Sequence, residues 1–166
     1  QWIDASGRRC LNYRKAYLFG DLDRSQFAAE AQSDRTFDFH GWKVGLLICY
    51  DVEFPEATRA LALAGADLIV VPTANMADYD FVARSLVPVR AYENQLFVAY
   101  ANFTGPEGAL DYGGLSVVAG PDGETLAQAE REETLLIATL DEKRLTDARK
   151  AAQHVRDLTV LRNPAI

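Results

Sequence analysis

Cys49 closes the apolar run Val44 to Cys49, and Tyr50-Asp51-Val52-Glu53 then makes a short connection before an amphipathic stretch begins. A thiol at such an elbow stands at the carboxyl edge of a sheet, where open α/β sheets place their ligands. It also lies near a helix N-terminus, whose partial positive charge favours thiolate. Free cysteine is equally among the most buried and inert residue types, so position alone leaves a reactive thiol and a core filler both open. A thiol nucleophile needs help, usually from histidine. The chain has two, His40 on the wet face of the preceding strand and His154 in a polar C-terminal stretch, and neither is placed to serve. Lys15 offers another kind of help, because Leu11 to Phe19 sets Arg14 and Lys15 among apolar and aromatic residues. A lysine beside a thiol lowers its pKa and holds charge on a reacting oxygen, although lysines so placed also snorkel to water as structural residues. Cys10 reads as a small core filler.

The elements that position these residues follow from period. Thr36 to His40 alternates as a strand with one wet face, Gly41-Trp42 turns, and Lys43 to Cys49 reads as its antiparallel partner, buried on both faces. Phe54, Ala57, Leu61 and Ala64 mark a helix over 54–64, with Pro55 in its first turn and Gly65 at its stop. Asp67 to Val71, closed by Pro72, completes a βαβ unit. Residues 77–95 read as a helix kinked or broken at Pro88, and Leu96 to Asn102 as a third apolar strand. Residues 105–114 read as loop. Strands at 115–119 and 125–129 flank the Pro121-Asp122-Gly123 turn, a further strand spans Thr134 to Leu140, and a helix covers roughly 141–153. The alternation argues a single α/β layer architecture.

Composition excludes several classes. The 166 residues, 49% hydrophobic with a net charge of −7, carry no basic stripe to attract nucleic acid and no apolar run approaching a membrane span. Two cysteines without a CxxC or Cys/His cluster predict no disulfide framework, no metal and a reducing, cytoplasmic compartment. The first residue is Gln and the single Met is Met76, so the sequence does not open on a translation start.

Tyr13-Arg14-Lys15-Ala16-Tyr17-Leu18-Phe19, followed 34 residues after the lysine by the Ile48-Cys49-Tyr50-Asp51-Val52-Glu53-Phe54-Pro55-Glu56 block, closely resembles the lysine and cysteine motifs of the nitrilase superfamily of carbon-nitrogen hydrolases. Gly65-Ala66-Asp67-Leu68-Ile69, Pro72-Thr73-Ala74-Asn75, Arg90 to Asn94 and Gly113 to Ser116 look like the family's later blocks. The resemblance implies an αββα sandwich with a Glu-Lys-Cys triad and no metal or organic cofactor. Cys49 matches the nucleophile and Lys15 the triad lysine. The glutamate has no match, so residues 1–166 are expected to be the C-terminal portion of a single domain whose first strands and helices are missing, and to be nearly inactive alone.

Asp23 aligns with a carboxylate that braces the lysine, Asp21 being the alternative, and Tyr17 replaces a histidine common in the family. Tyr50 would supply a backbone N–H to the oxyanion, and Thr73, Ala74 and Asn75 would line the substrate pocket or simply form a polar turn. Glu56 would support the site or the core, whereas Arg90, Glu93 and Asn94 would brace the core. The Cys-Tyr-Asp and Phe-Pro-Glu pattern is similar to the amidase and carbamoylase branches, which implies hydrolysis of a small-molecule amide through a cysteine thioester. N-carbamoyl amide hydrolysis and nitrile hydrolysis are the alternatives, and a non-catalytic fragment or interaction module is the alternative of another class. Association into a homodimer or higher oligomer is also expected.

Overall fold

The computed structural model describes residues 1–31 and 35–162. Among the described residues are ten short strands: β1 (Trp2–Ile3), β2 (Arg9–Leu11), β3 (Thr36–Phe39), β4 (Trp42–Leu46), β5 (Leu68–Thr73), β6 (Phe97–Asn102), β7 (Thr104–Glu107), β8 (Leu110–Gly113), β9 (Val117–Ala119) and β10 (Thr125–Gln128). Five α-helices accompany them: α1 (Gly20–Gln26), α2 (Pro55–Leu63), α3 (Val87–Asn94), α4 (Glu142–Ala151) and α5 (His154–Arg162). The main sheet runs β10-β9-β6-β5-β4-β3, with β4, β5 and β6 parallel and the outer pairings antiparallel. β1 with β2 and β7 with β8 form separate two-stranded ribbons.

The β3–β4 hairpin turns through His40 and Gly41, both at positive φ (49° and 86°), a pair that matches the twist of the strands it joins. Because β4, β5 and β6 sit in register at Val44, Leu68 and Phe97, these side chains share one face and Gly45, Ile69 and Val98 the other. The second face packs on the helices. A Cβ on Gly45 would lie 2.9 Å from Leu61 of α2, so the absence of a side chain there lets helix and sheet approach. Leu61, Ile69, Val71, Val87, Ala91 and Val98 form the centre of that core. On the first face Val44 and Phe97 are fully buried, with the Trp42 ring 5.7 Å from that of Phe97.

Several expectations are corrected. The strand predicted to reach Cys49 ends at Leu46, with one more bond from the Leu47 N–H to the Val70 carbonyl. Pro72 lies inside β5 rather than closing it. Alternate residues of a strand bond to alternate neighbours, so Pro72, like Val70, faces the β4 side, where β4 has already turned away and no donor is missed. The helix predicted over 77–95 opens with a 3-10 turn at Ala77–Tyr79 and then runs on to Asn94 without a break, taking a π-turn over Val82–Leu86 in which the Val87 N–H reaches back to the Val82 carbonyl just before Pro88. The predicted loop at 105–114 contains the β7–β8 ribbon. Residues 134–140 form no strand, since no described strand pairs with them, and Leu135 and Ile137 are 83% and 78% exposed. The helix predicted to 153 stops at Ala151, and α5 follows. The described residues build one helix-flanked sheet and two ribbons, a mixed α/β architecture that agrees with the fold class expected from the sequence.

Candidate active site

Cys49 opens a 3-10 turn, Cys49–Glu53, and its own φ is +49°. A side chain with a Cβ rarely takes that conformation, and strain of this kind is held only where the surroundings fix it. The thiol is half-buried. Burial pushes its pKa above the ordinary thiol value, while the Ala74 N–H, the Lys15 charge and the Tyr50 N–H pull it down and the Asp23 charge pushes it up. The helix-end effect expected from sequence is thus outweighed by desolvation. Neither histidine acts on this sulfur: His40 is in the β3–β4 turn, and His154 meets Gln95 across 2.8 Å at the start of α5.

Lys15 lies on the irregular segment between β2 and α1, where its ammonium meets the Asp23 carboxylate at 2.5 Å. Burial opposes ionisation of Asp23, but the Lys15 ammonium and the Phe19 N–H, 3.0 Å away, outweigh it and hold the carboxyl below its usual range. Of the two alignments considered, Asp23 is the one that reaches Lys15; Asp21 is exposed and pairs with Arg24 at 3.6 Å.

The lysine segment and the cysteine turn are joined by Asp51, a fully buried carboxylate. Its Oδ1 accepts from the Ala16 and Tyr17 N–H groups at 3.2 and 2.8 Å, and its Oδ2 from the Tyr13 hydroxyl and the Ile48 N–H at 2.8 and 3.0 Å. Stacking of Tyr17 on Phe54, with centroids 3.7 Å apart, closes the same seam. Tyr50 turns its ring to Phe19 and Phe54 at 5.2 and 5.0 Å.

Thr73, Ala74 and Asn75 leave the end of β5 beside the cysteine, and Ala74 supplies the N–H just described. Thr73 and Asn75 are buried beside Tyr100, whose phenol is shifted upward chiefly by burial while these two side chains pull it down. The Asn102 side chain accepts from the Asn75 N–H at 2.7 Å and donates to the carbonyls of Asn75 and Gly114, so it fastens this turn to the next loop. Glu56 is exposed on the first turn of α2. Arg90 braces the structure as expected, donating to the carbonyls of Val52 and Glu53 and pairing with Glu93 at 3.0 Å. Cys10 departs from the expected core filler: it is half-buried, with its sulfur 3.7 Å from an Asp4 oxygen. Asp51, Tyr100 and Asn102 were not singled out from the sequence. Asp51 alone carried a signal, its place in Cys-Tyr-Asp.

Residues 1–150 match the carbon-nitrogen hydrolase family. The chain is 52% identical over 157 residues to the "Hydrolase in pqqF 5'region" of Pseudomonas protegens, covering 95% of this chain and 55% of that protein. It is 39% identical to an (R)-stereoselective amidase of Pseudomonas sp., covering 89% of this chain and 53% of that one. A structure of a glutamate-to-glutamine mutant of the amidase from Nesterenkonia sp. AN1, showing covalent addition of the acetamide moiety of fluoroacetamide at the active site cysteine, superposes with a TM-score of 0.82 and 40% identity, covering 93% of this chain and 59% of that one. The chain thus spans about half the length of the curated relatives it matches. On these grounds it belongs to the carbon-nitrogen hydrolase family.

Proposed function

We propose that this chain carries the cysteine and lysine of a site that hydrolyses the carbon-nitrogen bond of small-molecule amides. The Cys49 thiolate attacks the carbonyl carbon, and the resulting oxyanion is held by the Lys15 ammonium and the Tyr50 N–H. Such preorganised donors are each worth about 10²–10³-fold in rate. Collapse expels the amine, which takes a proton from a general acid, and leaves a thioester on the sulfur. Water, giving one proton back to that same group, then adds its hydroxyl to the acyl carbon and releases the carboxylic acid and the thiolate. The family's glutamate fills the acid-base role and has no match among residues 1–166. A site lacking its general acid-base loses ~10²–10⁴-fold, so the 166-residue chain alone is expected to turn amides over at little more than background.

The observation that supports this reading is the joining of the Lys15 segment to the Cys49 turn through Asp51, with Lys15 held on Asp23 and its charge favouring the Cys49 thiolate. Alkylation by iodoacetamide tests it, with Cys10 as the internal reference thiol. Lys15→Ala is expected to slow labelling of Cys49 and leave that of Cys10 unchanged. If the Cys49 rate is indifferent to Lys15, the pair does not work together and a non-catalytic module becomes the better reading.

A further inference from the structure

Asp51 takes no part in the bond-making steps above, yet its surroundings are unusual for a merely structural carboxylate. It is fully buried, lies two residues beyond Cys49, and receives four hydrogen bonds. Three donors, Tyr13, Ala16 and Tyr17, flank Lys15; the fourth, the Ile48 N–H, immediately precedes Cys49. Four donors from two segments converge on its two oxygens, so this one group ties together stretches more than thirty residues apart in sequence.

We infer that Asp51 is a positioning residue that sets the Lys15 ammonium against the Cys49 sulfur, through the backbone on either side of each. The inference rests on the proposed pairing of Lys15 with Cys49. Two chain segments meet at this carboxylate, and they are the two that bear the reacting sulfur and its counter-charge. The strained φ of +49° at Cys49 needs an external restraint, and the bond from the Ile48 N–H to Oδ2 supplies one at the adjacent peptide. An amide in place of the carboxylate would keep Oδ1 for Ala16 and Tyr17, but would turn an NH₂ toward the Ile48 N–H, donor against donor. The turn would then shift.

The test is a double-mutant cycle read by Cys49 alkylation across pH, using the 166-residue chain as wild type, Asp51→Asn, Lys15→Ala and the double variant, with folding checked by circular dichroism. Misplacement of reacting groups by about 1 Å costs up to ~10²-fold, so Asp51→Asn is expected to slow Cys49 by roughly 10- to 100-fold. In the Lys15→Ala background the same substitution should have little further effect, because its action passes through the lysine. An equal effect in both backgrounds indicates a purely structural role and overturns the inference. So does a slowing by Lys15→Ala with none by Asp51→Asn. If Lys15→Ala itself changes nothing, the proposed Lys15–Cys49 pairing falls first and this inference with it. Should Asp51→Asn fail to fold, Tyr13→Phe removes one of the four bonds and keeps the carboxylate; a smaller slowing, again lost without Lys15, is expected, and a flat result overturns the inference.

Discussion

Charges of opposite sign act on the Cys49 sulfur from one ion pair: Lys15 draws the thiol toward ionisation and Asp23 opposes it. Burial raises the thiol's pKa further, so the alkylation rate of Cys49 is expected to inflect at a higher pH than that of an ordinary free thiol. Asp23→Asn removes the opposing charge and frees the lysine's, both of which lower the thiol's pKa. The inflection should move to lower pH, and a shift upward or none would show that Asp23 does not act on this site. Cys49 and Lys15 stood out as candidates in the sequence because each sits in a motif of distinctive residue types. The bonds of Asp51 did not, since its donors are 34 to 38 residues away in sequence apart from Ile48, and no local pattern reports a contact at that range.

At the scale of elements, the link between α3 and the Cys49–Glu53 turn is Arg90, which is 7% exposed and donates to two carbonyls of that turn. Arg90→Met keeps much of the aliphatic stem but leaves those acceptors unpaired, at a cost of about 1–3 kcal/mol each. Urea unfolding should show a loss of stability of that order, and an unchanged midpoint would mean that water replaces the guanidinium freely. Period identified the βαβ core because its strands and α2 bury apolar faces completely. It misread 105–114, where Gly, Pro and Glu favour a loop but the ladder with β8 is made by backbone. It misread 134–140 for the converse reason: side-chain pattern alone cannot supply a neighbouring strand.

For the whole molecule, Leu135 and Ile137 stand exposed on a segment that no described strand pairs with. Unpaired backbone next to apolar side chains invites pairing with another chain. Replacing both with lysine is therefore expected to lower the mass-averaged size seen in light scattering at a given protein concentration, while equal sizes would place any self-association elsewhere. Residue pattern reached the layer arrangement only coarsely, because which sheet face a helix covers depends on register between distant strands. Register also gives Pro72 a consequence. With a ring where a donor would be, β5 can offer β4 only a carbonyl past Val70, so each further step of the ladder would be made with half its bonds. Pro72 thereby weakens the sheet at the point where the chain turns away, and the thiol of Cys49 is left at the rim.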